Sequence, residues 1–285
     1  MSRVRRPEGA ITRGTTNPNR LRRVDRWIAA TQGPLLRSVE RPLVVDLGYG
    51  ASPITTVELF QRLRAVCPQV EVVGLEIDPA RVAAAQDCSC PGLSFRRGGF
   101  ELPVDRPPVL VRAFNVLRQY SEDEAWQAWD RLLYALTPGG LLVEGTCDEI
   151  GRRASWISLS RPTEAGVSRT DRGNGAGNAT TQRGAVTLAA HLGSLGRPSE
   201  LAERLPKTLI HRNVPGERIH ELLRDFDRAW ATAAPRKAFG PRQRWTAAVQ
   251  DLATTWPVLT RPPLGGRKRW REGEVTLPWE ALTPR

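Results

Sequence analysis

Apolar positions along the chain fall into short, strongly apolar runs separated by stretches with helical spacing. Leu21, Val24, Trp27 and Ile28 recur on one helix face, and Gly33-Pro34 closes that helix. Residues 42–46 (PLVVD) are a β-branched apolar run, which predicts a buried strand leading into the small-residue turn 47–53. Thr55 with Glu58 predicts a capping box that opens a helix over 56–65. Residues 70–77 predict a second strand, and Asp78-Pro79 predicts a helix start running to Gln86. Two further strands are expected over 93–96 and 109–113. Ser121 with Glu124 predicts another capping box before a helix to Leu136, and a Pro-Gly-Gly turn then feeds a fifth strand over 141–145. Beyond it, 154–159 and 185–191 predict two more strands, with helices near 199–205, 217–233 and 242–253.

Regular alternation of strand and helix predicts an α/β fold with a doubly wound, mostly parallel sheet. The expected organisation is a flexible basic arm over 1–20, a main domain over 21–233 and a helical C-terminal extension over 234–285 rich in Arg, Trp and Pro. Within the main domain, 161–184 is long, polar and Gly-rich, which predicts a flexible insertion or lid. There is no internal repeat.

Composition adds a partner question. The 285 residues carry 42 Lys+Arg against 30 Asp+Glu, a formal net charge of +12, mostly as arginine. Residues 1–41 hold ten Arg against three acids, and PRK, RQRW and GRKRW crowd the last fifty. Such basic termini suggest nucleic acid as the anionic partner, while an Arg-favouring coding composition is the other origin of the surplus. Trp245, Trp256, Trp270 and Trp279 alternate with Arg and Pro, either as a stacking surface for bases or as packing residues. No apolar run is long enough for a membrane span, and no signal-peptide core opens the chain. Four cysteines make no disulfide framework, and Cys88 with Cys90 lacks the companions of a zinc site, so ordinary thiols, a cytoplasmic location and no metal are expected. The oligomeric state is not legible.

Parallel sheets bind ligands at the carboxyl ends of their strands, which directs attention to D-L-G-Y-G after the first strand. Gly48 and Gly50 allow close backbone approach, and Asp46 disfavours a pyrophosphate but suits a cationic ligand. Glu76, 26 residues past Gly50 at the end of the second strand, is placed to accept ribose hydroxyls, and Ile77 offers an apolar face to a purine.

These motifs resemble, in order, those of the class I S-adenosylmethionine-dependent methyltransferases over about residues 41–150. VVDLGYG is similar to motif I, VVGLEIDPARV to the ribose motif, VLVRAFNVLRQY to motif IV and LTPGGLLVEGT to the turn and strand that follow. The resemblance implies a seven-stranded sheet whose last strand is antiparallel, with S-adenosylmethionine as cofactor. It carries Asp46, Gly48 and Gly50 into the cofactor loop, puts Glu76 in the ribose-binding place and sets Asn115 beside the methyl group. Where the family often has an acid after the third strand, this chain reads Arg97-Gly98-Gly99-Phe100, so Gly99 or Phe100 backbone N–H groups would meet the adenine and Phe100 would stack on it. No D/N-P-P-Y/F quartet is present, which disfavours exocyclic-amine acceptors. Cys147 is similar to the Thr-Cys of RNA cytosine-C5 enzymes without their Pro-Cys partner, and His191, His211 and His220 lack a partner motif. No catalytic residue is assigned. The resemblance implies direct in-line methyl transfer; the basic charge alone points to RNA or another nucleic acid as the acceptor, with a small molecule as the alternative. A non-catalytic nucleic-acid binder on a degenerate form of the fold is the remaining alternative.

Overall fold

The structure is a computed structural model that describes residues 7–11, 16–163 and 184–284. Most of the expected insertion at 161–184 lies outside the described residues.

The chain opens with α1 (Arg22–Thr31) and α2 (Gly33–Leu36). Then β1 (Leu43–Leu47), α3 (Ile54–Arg64), β2 (Glu71–Glu76), α4 (Pro79–Ala85), β3 (Leu93–Arg97), β4 (Leu110–Phe114), α5 (Glu122–Ala135) and β5 (Leu141–Cys147) follow in alternation. β6 (Arg153–Ser160) and β7 (Gly184–Ala190) precede α6 (Lys207–Ile210), α7 (Arg218–Thr232), α8 (Pro241–Leu252), α9 (Arg267–Arg271) and β8 (Glu274–Pro278). One sheet holds all eight strands in the order β3-β2-β1-β4-β5-β6-β7-β8.

β1 to β5 are mutually parallel, and the winding reverses between β1 and β4. Their runs are mostly apolar because both faces are covered, with Asp46, Glu76, Arg112 and Glu144 as buried charged residues within them and a polar end to β3. Leu43, Val45 and Leu47 join one core with α5, α7 and α8, while Val44 joins a second core with α1 and α3. β6, β7 and β8 are successive antiparallel strands. The sheet therefore has eight strands, not seven, and three antiparallel pairings rather than one antiparallel strand. The expected helical C-terminal extension supplies that eighth strand. Val275, Leu277 and Trp279 lie fully buried, and Thr276 hydrogen-bonds Thr187 of β7 at 3.0 Å.

Two caps behave as expected and one does not. Ser121 and Glu124 form a reciprocal capping box on α5, and Asp78 caps α4 through the Ala80 N–H at 2.8 Å. α3 starts at Ile54 after Pro53 with no side-chain cap. Glu58 instead accepts from the Asn19 N–H at 2.8 Å and pairs with Arg62, so it anchors the N-terminal segment.

The expected flexible arm is seated in its described parts. Thr16 donates to the Tyr49 carbonyl, Asn17 to that of Glu149, and Arg20 to that of Asp148. The tryptophans of the C-terminal region are packing residues and not a stacking surface. Trp245 and Trp279 are fully buried, Trp256 and Trp270 nearly so, and Arg218 lies over the Trp256 ring at 4.2 Å.

Candidate functional site

The reversal of winding between β1 and β4 opens a crevice at the carboxyl edge of the sheet. Gly48, Glu76, Ile77, Gly99 and Phe100 line one cavity there, together with Leu47, Val116 and Tyr120. Five of the eight residues expected at the site thus share one wall.

Glu76 organises it. Its side chain is buried, and its carboxylate accepts from the Gly50 N–H at 2.9 Å and from the Ile77 N–H at 2.9 Å. Arg81 adds a guanidinium 3.6 Å away. Gly50 takes φ +83°, a left-handed conformation that a side chain would strain, and this turns its N–H toward Glu76. Tyr49 packs edge-on against Phe95 under the loop, and burial near Glu76 and Asp46 pushes its phenol pKa up.

Two expected residues point elsewhere. Asp46 leaves the cavity and enters the core beneath the loop, where Arg112 grips it in a fork: Nε to Oδ1 at 2.9 Å and Nη2 to Oδ2 at 2.7 Å. Thr56 donates to the same Oδ2 at 2.6 Å. Arg112 is fully buried and also pairs with Asp25 of α1, which Arg62 of α3 meets at 2.9 Å. Burial raises the Asp25 carboxyl to about 6 despite Arg112 and Arg62. With both oxygens committed to the fork, Asp46 braces the loop from below and is not turned toward a cationic ligand.

Asn115 takes φ +61° at the end of β4, a region Asn tolerates better than most residues. Its Oδ1 accepts from the Cys147 N–H at 3.0 Å, and its Nδ2 reaches the Cys147 Sγ at 3.4 Å. It clamps β4 to β5 and does not line the cavity. Cys147 is buried, which raises its thiol pKa, the opposite of what a nucleophile needs. None of His191, His211 and His220 lines this cavity. No cluster able to hold a metal occurs among the described residues.

The residues that sequence reasoning missed come from the N-terminus. Residues 8–10 lie across the cavity as a strap. The Phe100 N–H donates to the Glu8 carbonyl at 3.0 Å, the Glu8 N–H to Glu101 at 2.8 Å, and the Ala10 N–H to the Tyr120 hydroxyl. Gly9 sits among Ile77, Phe100 and Tyr120, and a Cβ on Gly99 would stand 1.9 Å from the Glu8 carbonyl oxygen. About 10 Å³ of free space remains, room for roughly one water.

No protein-family model and no curated protein matches the chain. Solved structures do. Human N-acetylserotonin methyltransferase, in complex with SAM, aligns over 45% of this chain and 35% of its own at 21% identity and a TM-score of 0.34. Magnesium protoporphyrin IX methyltransferase from Synechocystis, with bound SAH, aligns over 45% of this chain and 54% of its own at 20% identity and a TM-score of 0.35. A cyclopropane synthase from Mycobacterium tuberculosis aligns over 43% of this chain and 42% of its own at 20% identity and a TM-score of 0.33. Each match spans less than two thirds of the other protein, and likenesses this partial carry no argument by themselves. The strand order decides the fold. It is doubly wound α/β, with its crevice where such sheets bind ligands.

Proposed function

We propose that the chain is an S-adenosylmethionine-dependent methyltransferase. The observation that carries this reading is Glu76, held by the Gly50 and Ile77 N–H groups beside an apolar slot of Ile77, Phe100, Val116 and Tyr120. A carboxylate fixed at the rim of such a slot suits a ribose diol with its purine alongside. The residues fit an adenosyl group once the strap leaves, since the strap now takes the Phe100 N–H that the adenine would use. S-adenosylmethionine supplies an activated methyl group on its sulfonium. The chain's own part would be to bind and orient: Glu76 would hold the ribose, Ile77 and Phe100 would cover the adenine, and the Gly48–Gly50 loop would offer its backbone to the rest of the cofactor. In-line transfer then depends mainly on alignment. RNA or another nucleic acid is the leading acceptor class, with a small molecule as the alternative. The thiols, all free, accord with a cytoplasmic location, and no described helix is long and apolar enough to cross a membrane.

One observation favours a second reading, a non-catalytic protein on this fold: the slot is filled by the chain's own residues 8–10. Calorimetric titration of S-adenosylmethionine and S-adenosylhomocysteine separates the two. Glu76→Gln should weaken binding at least about ten-fold, since a neutral amide is a poorer partner for the diol and for the N–H groups that shape the loop. Deleting residues 1–11 should tighten binding about ten-fold or more, because each strap hydrogen bond is worth about 0.5–1.5 kcal/mol. Absence of binding in both the full and the shortened chain would establish the non-catalytic reading. Weaker binding after the deletion would make the strap a wall of the site rather than its competitor.

A further inference from the structure

A second, larger cavity of about 730 Å³ opens on the same edge of the sheet, above β6, β7 and β8. The β5–β6 turn at Ile150 and Gly151, the segment after β7 and the run from α9 into β8 form its walls. Seven cationic side chains line it against two carboxylates. Arg22 and Arg26 come from α1, Arg242 from the start of α8, and Lys268 and Arg271 from α9, all exposed and without an ion-pair partner among the described residues. Of the two carboxylates, Glu274 is already paired with Arg269 at 3.1 Å. Arg23, deeper in the wall, donates through Nη1 to the Glu272 carbonyl and leaves its buried Nε with no acceptor. Exposed like charges cost stability unless an anion joins them, and α8 adds the positive end of its dipole at Pro241 and Arg242.

The shape of the lining narrows the ligand. Among the described residues no Phe, Tyr or Trp lines the cleft and His191 is its one aromatic ring, so it offers little platform for bases and grips chiefly charge. Adjacent strands lie about 4.8 Å apart, so the cleft over β6–β8 stands roughly 15–20 Å from the β1/β4 crevice. A small anion held there could not reach that crevice, whereas a chain with a charge on every unit could span the distance. We infer that this cleft binds the phosphodiester backbone of a single nucleic-acid strand, holding the neighbouring nucleotides along the edge toward the crevice. The inference deepens the methyltransferase reading by naming how its acceptor is held, and its choice of a charged chain over a small anion rests on that reading.

The test is fluorescence anisotropy with a labelled single-stranded RNA of about 12 nucleotides, without S-adenosylmethionine, from about 50 mM salt upward. Five unpaired cations should give a slope of log K against log salt near −3.5, about −0.7 for each phosphate neutralised. Arg26→Glu with Lys268→Glu should weaken binding at least about ten-fold and flatten the slope by about 1.4. Arg224→Glu with Arg228→Glu, the same charge change on α7, should leave it unchanged. Unlabelled DNA of the same sequence should compete as well as unlabelled RNA. Equal loss in the α7 variant, or displacement by tripolyphosphate at equal phosphate concentration, overturns the inference. Since no cofactor is present, failure here leaves the calorimetric result standing, and the reverse holds too.

Discussion

Glu144→Gln should leave stability nearly unchanged near pH 4 and raise it by on the order of 4 kcal/mol near pH 8. Glu144 sits in the middle of β5 with its carboxyl fully buried, and neither oxygen meets a donor in hydrogen-bond geometry. Burial raises its pKa from the usual 4.5 to about 8, and the Trp129 indole N–H opposes that shift only in part. A carboxyl whose folded pKa exceeds its unfolded one holds a proton that the unfolded chain gives up. Its contribution to stability is therefore complete below pH 4.5 and drains away as pH rises to about 8. Glutamine keeps the shape and has no proton to lose. Urea midpoints across this range should fall for the parent and stay higher for the variant, the gap widening with pH. Parallel curves would mean that the carboxyl is hydrated or paired in solution.

Arg112→Met should cost about 3–5 kcal/mol near pH 7, because it strands two carboxylates in the core. Arg112 is the only cation that touches both Asp25 and Asp46 among the described residues. The loss should shrink in acid, where protons neutralise the pair that the guanidinium no longer balances. Adding Asp25→Asn and Asp46→Asn should recover most of it, since the network is costly when broken rather than strongly stabilising when whole. Urea unfolding at two pH values for the single and triple variants reads all of this. A single variant within about 1 kcal/mol of the parent would show that water already reaches the cluster. Because Asp25, Thr56, Asp46 and Arg112 join α1, α3, β1 and β4, the same variant should also loosen the Gly48–Gly50 loop above them.

The parallel half of the sheet was legible because its buried strands leave short apolar runs, LVV in β1, VVGL in β2 and LLV in β5, while β3 (LSFRR) and β4 (LVRAF) are legible mainly from their place in the alternation. β8 was not, since its Val275 and Leu277 alternate for only a few residues before Trp279, inside an Arg- and Trp-rich segment. The wall of the candidate site was legible because Gly50 and the Glu76–Ile77 pair sit in the turns of two successive βα units, each readable from its own strand end. Asp46 was misjudged because its partner lies 66 residues away. A signal was present in VLVRAF, where an arginine in the middle of a buried strand demands a buried acid. The Thr55–Glu58 pattern fitted a cap, but tertiary partners took Glu58. The strap left little signal, since it docks largely through its backbone groups, and its own side-chain pairing, Glu8 with Arg131 at 2.8 Å, spans 123 positions.

β8 also sets a timetable. It pairs with β7, yet 84 positions separate Ala190 from Glu274. At about 5–20 residues per second, a ribosome would take roughly 4–17 s to deliver the second strand after the first. Throughout that interval β7, apolar on both faces, would present an open edge ready to pair with another chain. Synthesis in crowded cells, rather than the finished molecule, is where this protein would be most exposed to aggregation and most dependent on chaperones.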